Sequence, residues 1–346
     1  MTKEKAIFRK KIPGRLSMAA KCALTIIPLL CAVIALCSGR VVISFIDTIK
    51  AVAGVFGVDF GLSSQTMTVI NTIRLPRIIL AAFVGAGLSV SGCAFQSLFS
   101  NPLATPDTLG AAGGASFGAA LGILLGFNTA GIHATAFICG LLAVGLTWIS
   151  GAKLGRGVSS VVLSGIMISS LFSALVSLVK FLANSETQLP AITYFLMGSL
   201  NGAGFSAIFP GLLIIAAGVL VLYIIRWRLN ILVLSDEEAQ STGINLKFTR
   251  IITVISSTAV TAASIAMCGQ VGWVGLIIPH ICRMKFGANH LEVVPASISL
   301  GAAFLILTDT ISRSVSVSEI PISVLTAIIG APFFIFLLRK GKGWQL

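Results

Sequence analysis

Ten long apolar runs divide this chain, at 18–37, 78–99, 108–126, 130–150, 158–183, 206–225, 251–268, 271–284, 293–312 and 321–338. About 20 apolar residues in a helix are what one crossing of a ~30 Å hydrocarbon layer requires. A backbone in that layer must satisfy its own hydrogen bonds, so each run is expected to be a helix. The eighth run is short and reads as tilted or incompletely spanning. A further apolar stretch, 41–58, carries Asp47 and Lys50 midway and Gly54 and Gly57 near its end, which suits an interfacial helix better than a span. The expectation is an all-α polytopic membrane protein with about ten spans. It forms a single transmembrane domain over 1–346, with a basic leading segment at 1–17 and a polar loop at 229–247. Composition agrees: 56% of residues are hydrophobic and 10% charged, with a mean hydropathy of +1.02, too little polar surface for a soluble chain of this length.

Excluding 41–58 fixes the parity of every later loop. With the N-terminus inside, the inner segments hold 18 of the 24 Lys and Arg. This imbalance supports both termini being cytoplasmic. The remainder includes Arg74, Arg77 and Arg313, which this count places outside, against the usual bias. Residues 1–17 carry six Lys/Arg ahead of the first run with no small-residue cleavage site, so a retained first helix is expected. The seven cysteines lie mostly within apolar runs without paired spacing and read as packing residues. The net charge of +13 sits between the runs as topology determinants do, without the aromatic interleaving of a nucleic-acid surface.

Motifs exclude most enzymes. There is no H-E-x-x-H and no G-x-x-x-x-G-K-[ST], so the chain cannot itself hold ATP in a P-loop. "GASFG" (114–118) matches G-x-S-x-G at Ser116, but its glycines belong to a ladder at Gly110, Gly114, Gly118, Gly122 and Gly126, and a nucleophile needs a strand-to-helix turn. The ladder reads first as tight packing within the chain, with lipid-facing dimerisation as the alternative. "GAGLSVSG" (85–92) reads as a small-residue helix face.

"LSDEEAQSTGI" (234–244) spells a short helix. Ser235 with Glu238 is a capping box, Asp236 and Glu237 suit the dipole of the first turn, and Gly243 suits the position after the last turn. Three consecutive acids in a basic protein point to a docking element for a cytoplasmic partner. Asp309 and Arg313 are spaced for an i,i+4 ion pair, with Glu319 a competitor for Arg313. His280 follows Pro279 and reads as structural, bonding a carbonyl that the proline frees. No acidic chain follows the membrane interior, which argues against a proton-coupled carrier.

Together, "RLPR" (74–77), "NPLATPDTLG" (101–110), "GLIIPHICR" (275–283), "DTISR" (309–313) and "EIPISVLTAIIGAPFF" (319–334) resemble the FecCD family, the permeases of ATP-binding-cassette importers for iron-siderophore, haem and cobalamin-type substrates. The resemblance covers about 60–340. It implies an inner-membrane subunit that homodimerises, or pairs with a close relative, around a central pathway lined by the fifth and tenth spans. It implies separate ATPase subunits that bind ATP, no cofactor in this chain, and a binding protein delivering substrate from outside. By resemblance, Arg74, Arg77 and Arg313 receive glutamates of that binding protein. The 234–244 helix, with Ser235, Asp236, Glu237, Glu238, Ala239 and Gly243, couples to the ATPase. Asn101, Leu103, Val158, Ser159 and Ser160 form a cytoplasmic gate. Pro279, His280, Asp309, Pro321, Gly330 and Pro332 shape the helices. The chain departs from the family pattern at Ser235 and Ser323, where Gly is usual, and at Thr242, where Leu is usual.

Overall fold

The structure, a computed structural model, describes residues 16–39, 41–54, 60–154, 158–316 and 318–340; the basic residues within 1–15 lie outside them. Among the described residues there are helices and no strands. Helix α1 (Met18–Cys37) starts at Ser17, whose Oγ accepts from the Ala20 N–H. The stretch expected to be interfacial forms α2 (Phe45–Gly54). Its ten residues rise about 15 Å, too short to cross.

The next helix corrects the expected boundary. α3 (Ser64–Thr68), a π-helical turn (Val69–Arg74) and α4 (Leu75–Leu98) run on as one helix of 35 residues, where hydropathy alone placed a start at 78. Ser63 caps it, accepting from the Thr66 N–H. Polar Ser64, Gln65, Thr66 and Asn71 lower hydropathy without interrupting backbone bonding. Pro76 therefore stands inside a continuous helix rather than at its beginning. The wide π turn just before it absorbs the bond that a proline cannot donate.

After a 3-10 turn at Pro106–Leu109 come α5 (Ala111–Leu124), α6 (Thr129–Leu154), α7 (Val158–Leu182), a short α8 (Gln188–Met197) and α9 (Phe205–Ile224). A 3-10 turn at Arg228–Val233 leads to α10 (Asp236–Ser241), α11 (Leu246–Cys268), α12 (Val274–Phe286), α13 (His290–Val315) and α14 (Ile322–Lys340). Each expected span thus meets a helix. Seven of the described helices are long and apolar enough to cross a membrane; Ala111–Leu124 and Ile322–Phe336 are apolar but shorter. Helix α12, at 13 residues, rises about 20 Å and does not cross alone. Helix α8 was not anticipated, because its ten residues fall below any spanning window.

Helix α4 is the core, buried on nearly every side among α9, α11, α12 and α13. Its small residues let backbones meet: a Cβ on Gly85 would strike the Gly301 carbonyl, and one on Gly92 the Gly275 carbonyl. The same physics resolves the glycine ladder in favour of packing within the chain. Cβ atoms on Gly114 and Gly118 would run into the α6 backbone at Cys139 and Thr135. In the buried helix α11, some hydroxyls are satisfied locally, while those of Ser257 and Thr258 are buried without a partner. Thr253, Thr261 and Ser264 each donate to the carbonyl four residues back.

Candidate functional site

Arg74 and Arg77 lie three apart on α4 and the π turn, so they share a face, and α13 brings Arg313 to them. All three are buried, at 4, 5 and 8% exposure. Arg74 donates to the Leu36 and Val41 carbonyls, and Arg313 to that of Ala35. Ala35 and Leu36 belong to the last turn of α1, whose carbonyls have no helical partners and carry the negative end of the dipole. Two arginines thus cap α1. Gly39 permits this: a Cβ there would stand 2.7 Å from Arg74 Nη2 and 2.9 Å from Arg313 Nη1.

Arg77 has carboxylate partners instead. Its Nε and Nη2 donate to Asp309 at 2.8–3.0 Å, and its Nη1 and Nη2 to Glu319 at 3.2 and 3.0 Å. Asp309 meets Arg313 only at 3.7 Å, so the i,i+4 pair exists but is the weaker of its contacts. Glu319 takes Arg77, not Arg313 as expected. This clamp joins α4, α13 and the α13–α14 turn across more than 230 residues of sequence, a separation that local spacing cannot show. Glu319 adopts φ +50°, a strained conformation for a non-glycine residue, and its side chain is 17% exposed against 1% for Asp309.

At α10 the capping box forms as spelled. Ser235 Oγ accepts from the Glu238 N–H, and the Glu238 carboxylate accepts from the Ser235 N–H and hydroxyl. Gly243 takes φ +72° just past the helix. Ala239 is 2% exposed and pins the helix to the body, while Glu237 and Glu238 are exposed. Thr242 donates to the Ala239 carbonyl at 2.6 Å.

Asn101 and Leu103 are exposed in the loop after α4, where Asn101 Oδ1 accepts from the Leu103 N–H at 2.9 Å. That loop leads into the Pro106–Leu109 turn, which lies on α7: a Cβ on Gly165 would strike the Thr108 carbonyl. Val158, Ser159 and Ser160 begin α7. Ser160 is half-buried; the side chains of Val158 and Ser159 lie outside the described residues.

His280 differs from expectation. It is buried, but its Nε2 has no hydrogen-bond partner, and the ring instead packs against Phe334, 6.0 Å centroid to centroid. Pro279 and Pro332 lie inside α12 and α14. Pro321 starts the turn into α14, its carbonyl accepting from the Val324 N–H. Gly330 leaves room for Trp273, which a Cβ would meet at 2.6 Å. Ser323 donates to the Met197 carbonyl at 2.6 Å, tying α14 to the end of α8, a bond that glycine could not make. Ser116 is buried in the interior of α5, not on a strand-to-helix turn.

One polar cluster went unread in the sequence. Arg283 donates to Gln96, whose amide donates to the Gly275 carbonyl at 3.1 Å. Ser97 meets His290 Nε2, while His290 Nδ1 lies 2.8 Å from Asn230 Oδ1. A carbonyl oxygen only accepts, so Nδ1 carries a proton, while the Ser97 hydroxyl also lies 3.0 Å from the Cys93 carbonyl. The available signal was Gln96 and Ser97 closing an otherwise apolar run.

Bilayer-spanning helices, a core closed by small residues and polar clusters where helices end define a multi-pass permease of the inner membrane. A model of the FecCD transport family matches residues 26–340, and the chain belongs to that family, whose members are transport subunits. A molybdate import system permease protein of Haemophilus influenzae is 37% identical over 92% of this chain and 95% of its own length. A probable iron chelatin transport system permease protein of Helicobacter pylori is 36% identical over 82% and 85%. A solved inward-facing conformation of a protein described as a metal-chelate type ABC transporter matches with TM-score 0.83, at 36% identity, over 92% of this chain and 98% of that one.

Proposed function

We propose that this chain is the membrane half of an importer powered by separate ATPase subunits, with both termini cytoplasmic and ten spans. The observation that carries the reading is α10, a six-residue helix closed at its start by the capping box, anchored by Ala239 and presenting acids outward. A helix too short to fold alone is held in place for something outside the chain. An ATPase cleft gripping it moves the permease by differential affinity for two states, with no chemistry in this chain.

By family resemblance, a second copy or a close relative is the partner across the pathway. Helix α7 supports this, leaving Leu163, Ile166, Met167, Leu171 and Leu178 exposed along one face; these recur at helical spacing. Hydroxyls at Ser170, Ser173 and Ser177 interrupt this surface without fixed charge, which suits a cargo that must be passed on rather than held. By family resemblance, Asn101, Leu103 and Val158–Ser160 form the cytoplasmic gate; the packing of the neighbouring Pro106–Leu109 turn on α7 supports this reading.

Arg74, Arg77 and Arg313 then form the outer docking ground for a binding protein. Their guanidiniums are engaged within the chain, so an incoming carboxylate must exchange with an internal partner. Glu319 is the more accessible of the two carboxylates. The cargo we favour is an iron chelate, with haem, cobalamin or an oxyanion such as molybdate carried by the same mechanism. The ligand that co-purifies with the partner binding protein decides among these.

The test is Glu237→Lys, with Glu238 retained so that the cap survives. We expect ATPase co-purification and uptake to be lost while membrane insertion and thermal stability hold. Unchanged assembly would remove α10 from the coupling role.

A further inference from the structure

A groove of about 730 Å³ opens between α1, α9 and α13. Its mouth is formed where three helix ends meet: Lys21 in the first turns of α1, Arg226 two residues past α9, and Glu292 in the first turn of α13. This is the end of the bundle from which the chain runs on into α10. From the mouth the groove extends along α13 past Pro295 and Ile298 to Ala302, and along α1 past Pro28 and Leu29. The eleven steps along α13 from Leu291 to Ala302 rise about 16 Å. That is roughly half of a ~30 Å hydrocarbon core, the depth of one leaflet.

The mouth is built for an anion. Arg226 stacks over the Tyr223 ring at 4.0 Å and donates from Nη1 to the Tyr223 carbonyl at 2.6 Å, which fixes the guanidinium. Its Nε is buried without a partner. Lys21 is exposed beside it. Among the described residues no ion pair joins Lys21 or Arg226 to Glu292, and the lining keeps two cations against one carboxylate. Tyr223 and Trp227, at 37 and 46% exposure, give this level of the bundle the aromatic belt of a membrane interface.

We infer that this groove binds one anionic phospholipid of the inner leaflet, its headgroup phosphate at Lys21 and Arg226 and an acyl chain along α13 toward Ala302. Charge selects the headgroup, and apolar length selects lipid over free phosphate. Bound there, the lipid braces α1 against α9. The main neighbour of α1 is α13, and those of α9 are α11 and α4.

The test is native mass spectrometry of the full chain in detergent, offered phosphatidylglycerol or phosphatidylcholine with matched acyl chains. We expect phosphatidylglycerol to be retained about tenfold more strongly. The preference should vanish in Lys21→Gln/Arg226→Gln and survive in Arg226→Lys, and Ala302→Trp should weaken retention of both lipids. Equal retention by the wild type, or an undiminished preference in the double variant, overturns the proposal. Loss of retained phosphatidylglycerol to millimolar inorganic phosphate would reassign the mouth to a free anion and overturn it as well. If the double variant fails to fold, Ala302→Trp decides: unchanged retention in it overturns the acyl-chain path.

Discussion

Removing the guanidinium at residue 77 should reverse the sign of a second substitution. Arg77 makes three hydrogen bonds to Asp309 and two to Glu319, and Asp309 is 1% exposed. In Arg77→Ala the Asp309 carboxylate keeps only the 3.7 Å contact with Arg313. A buried charge stripped of its partner costs about 3–5 kcal/mol. Asp309→Asn in the wild type should also destabilise, because it leaves the buried Arg77 with Glu319 as its one carboxylate partner. In the Arg77→Ala background the same change removes the stranded charge and should restore about 1–3 kcal/mol. Glu319→Gln, at the more exposed arm, should cost only about 1 kcal/mol. The assay is a denaturant titration of the four members of the cycle in mixed micelles, followed by tryptophan fluorescence. Additive effects, with Asp309→Asn equally destabilising in both backgrounds, would show that the two side chains are not coupled and would refute the clamp.

Three other outcomes follow from close contacts. Gly118→Leu should separate α5 from α6 and lower the unfolding midpoint by the equivalent of about 1–3 kcal/mol or more, since any Cβ there meets the Thr135 carbonyl; Gly126→Leu, with nothing within 4 Å but a positive φ, should cost less. Ser323→Gly should lose the bond to Met197 and about 0.5–1.5 kcal/mol, seen as faster amide exchange at the start of α14. Ser116→Ala should leave uptake unchanged, because the hydroxyl is buried inside α5; abolished uptake with normal folding would reopen a chemical role.

The helices were legible because membrane crossing imposes length and apolarity on the sequence itself. Local devices were legible too. Ser235 and Glu238 are three residues apart, and a capping box is complete within that span. What stayed hidden depended on distant pairing. Nothing around "RLPR" announces that Asp309 and Glu319 will meet Arg77, which looked free because its partners lie more than 230 residues away. The capping of α1 by Arg74 and Arg313 was equally invisible, since its signal is only a glycine at position 39. The start of α3 was missed because hydropathy stops at the membrane surface and hydrogen bonding does not. Helix α8 and the Gln96–Arg283 cluster were missed because both are fixed by neighbours, not by a repeating pattern.

The most direct test is uptake into liposomes that hold this chain with or without its ATPase, with the binding protein and its cargo outside and ATP inside. Accumulation should require both partners and stop when ATP is withheld. Accumulation driven by a proton or sodium gradient in liposomes lacking the ATPase would contradict ATP-driven import.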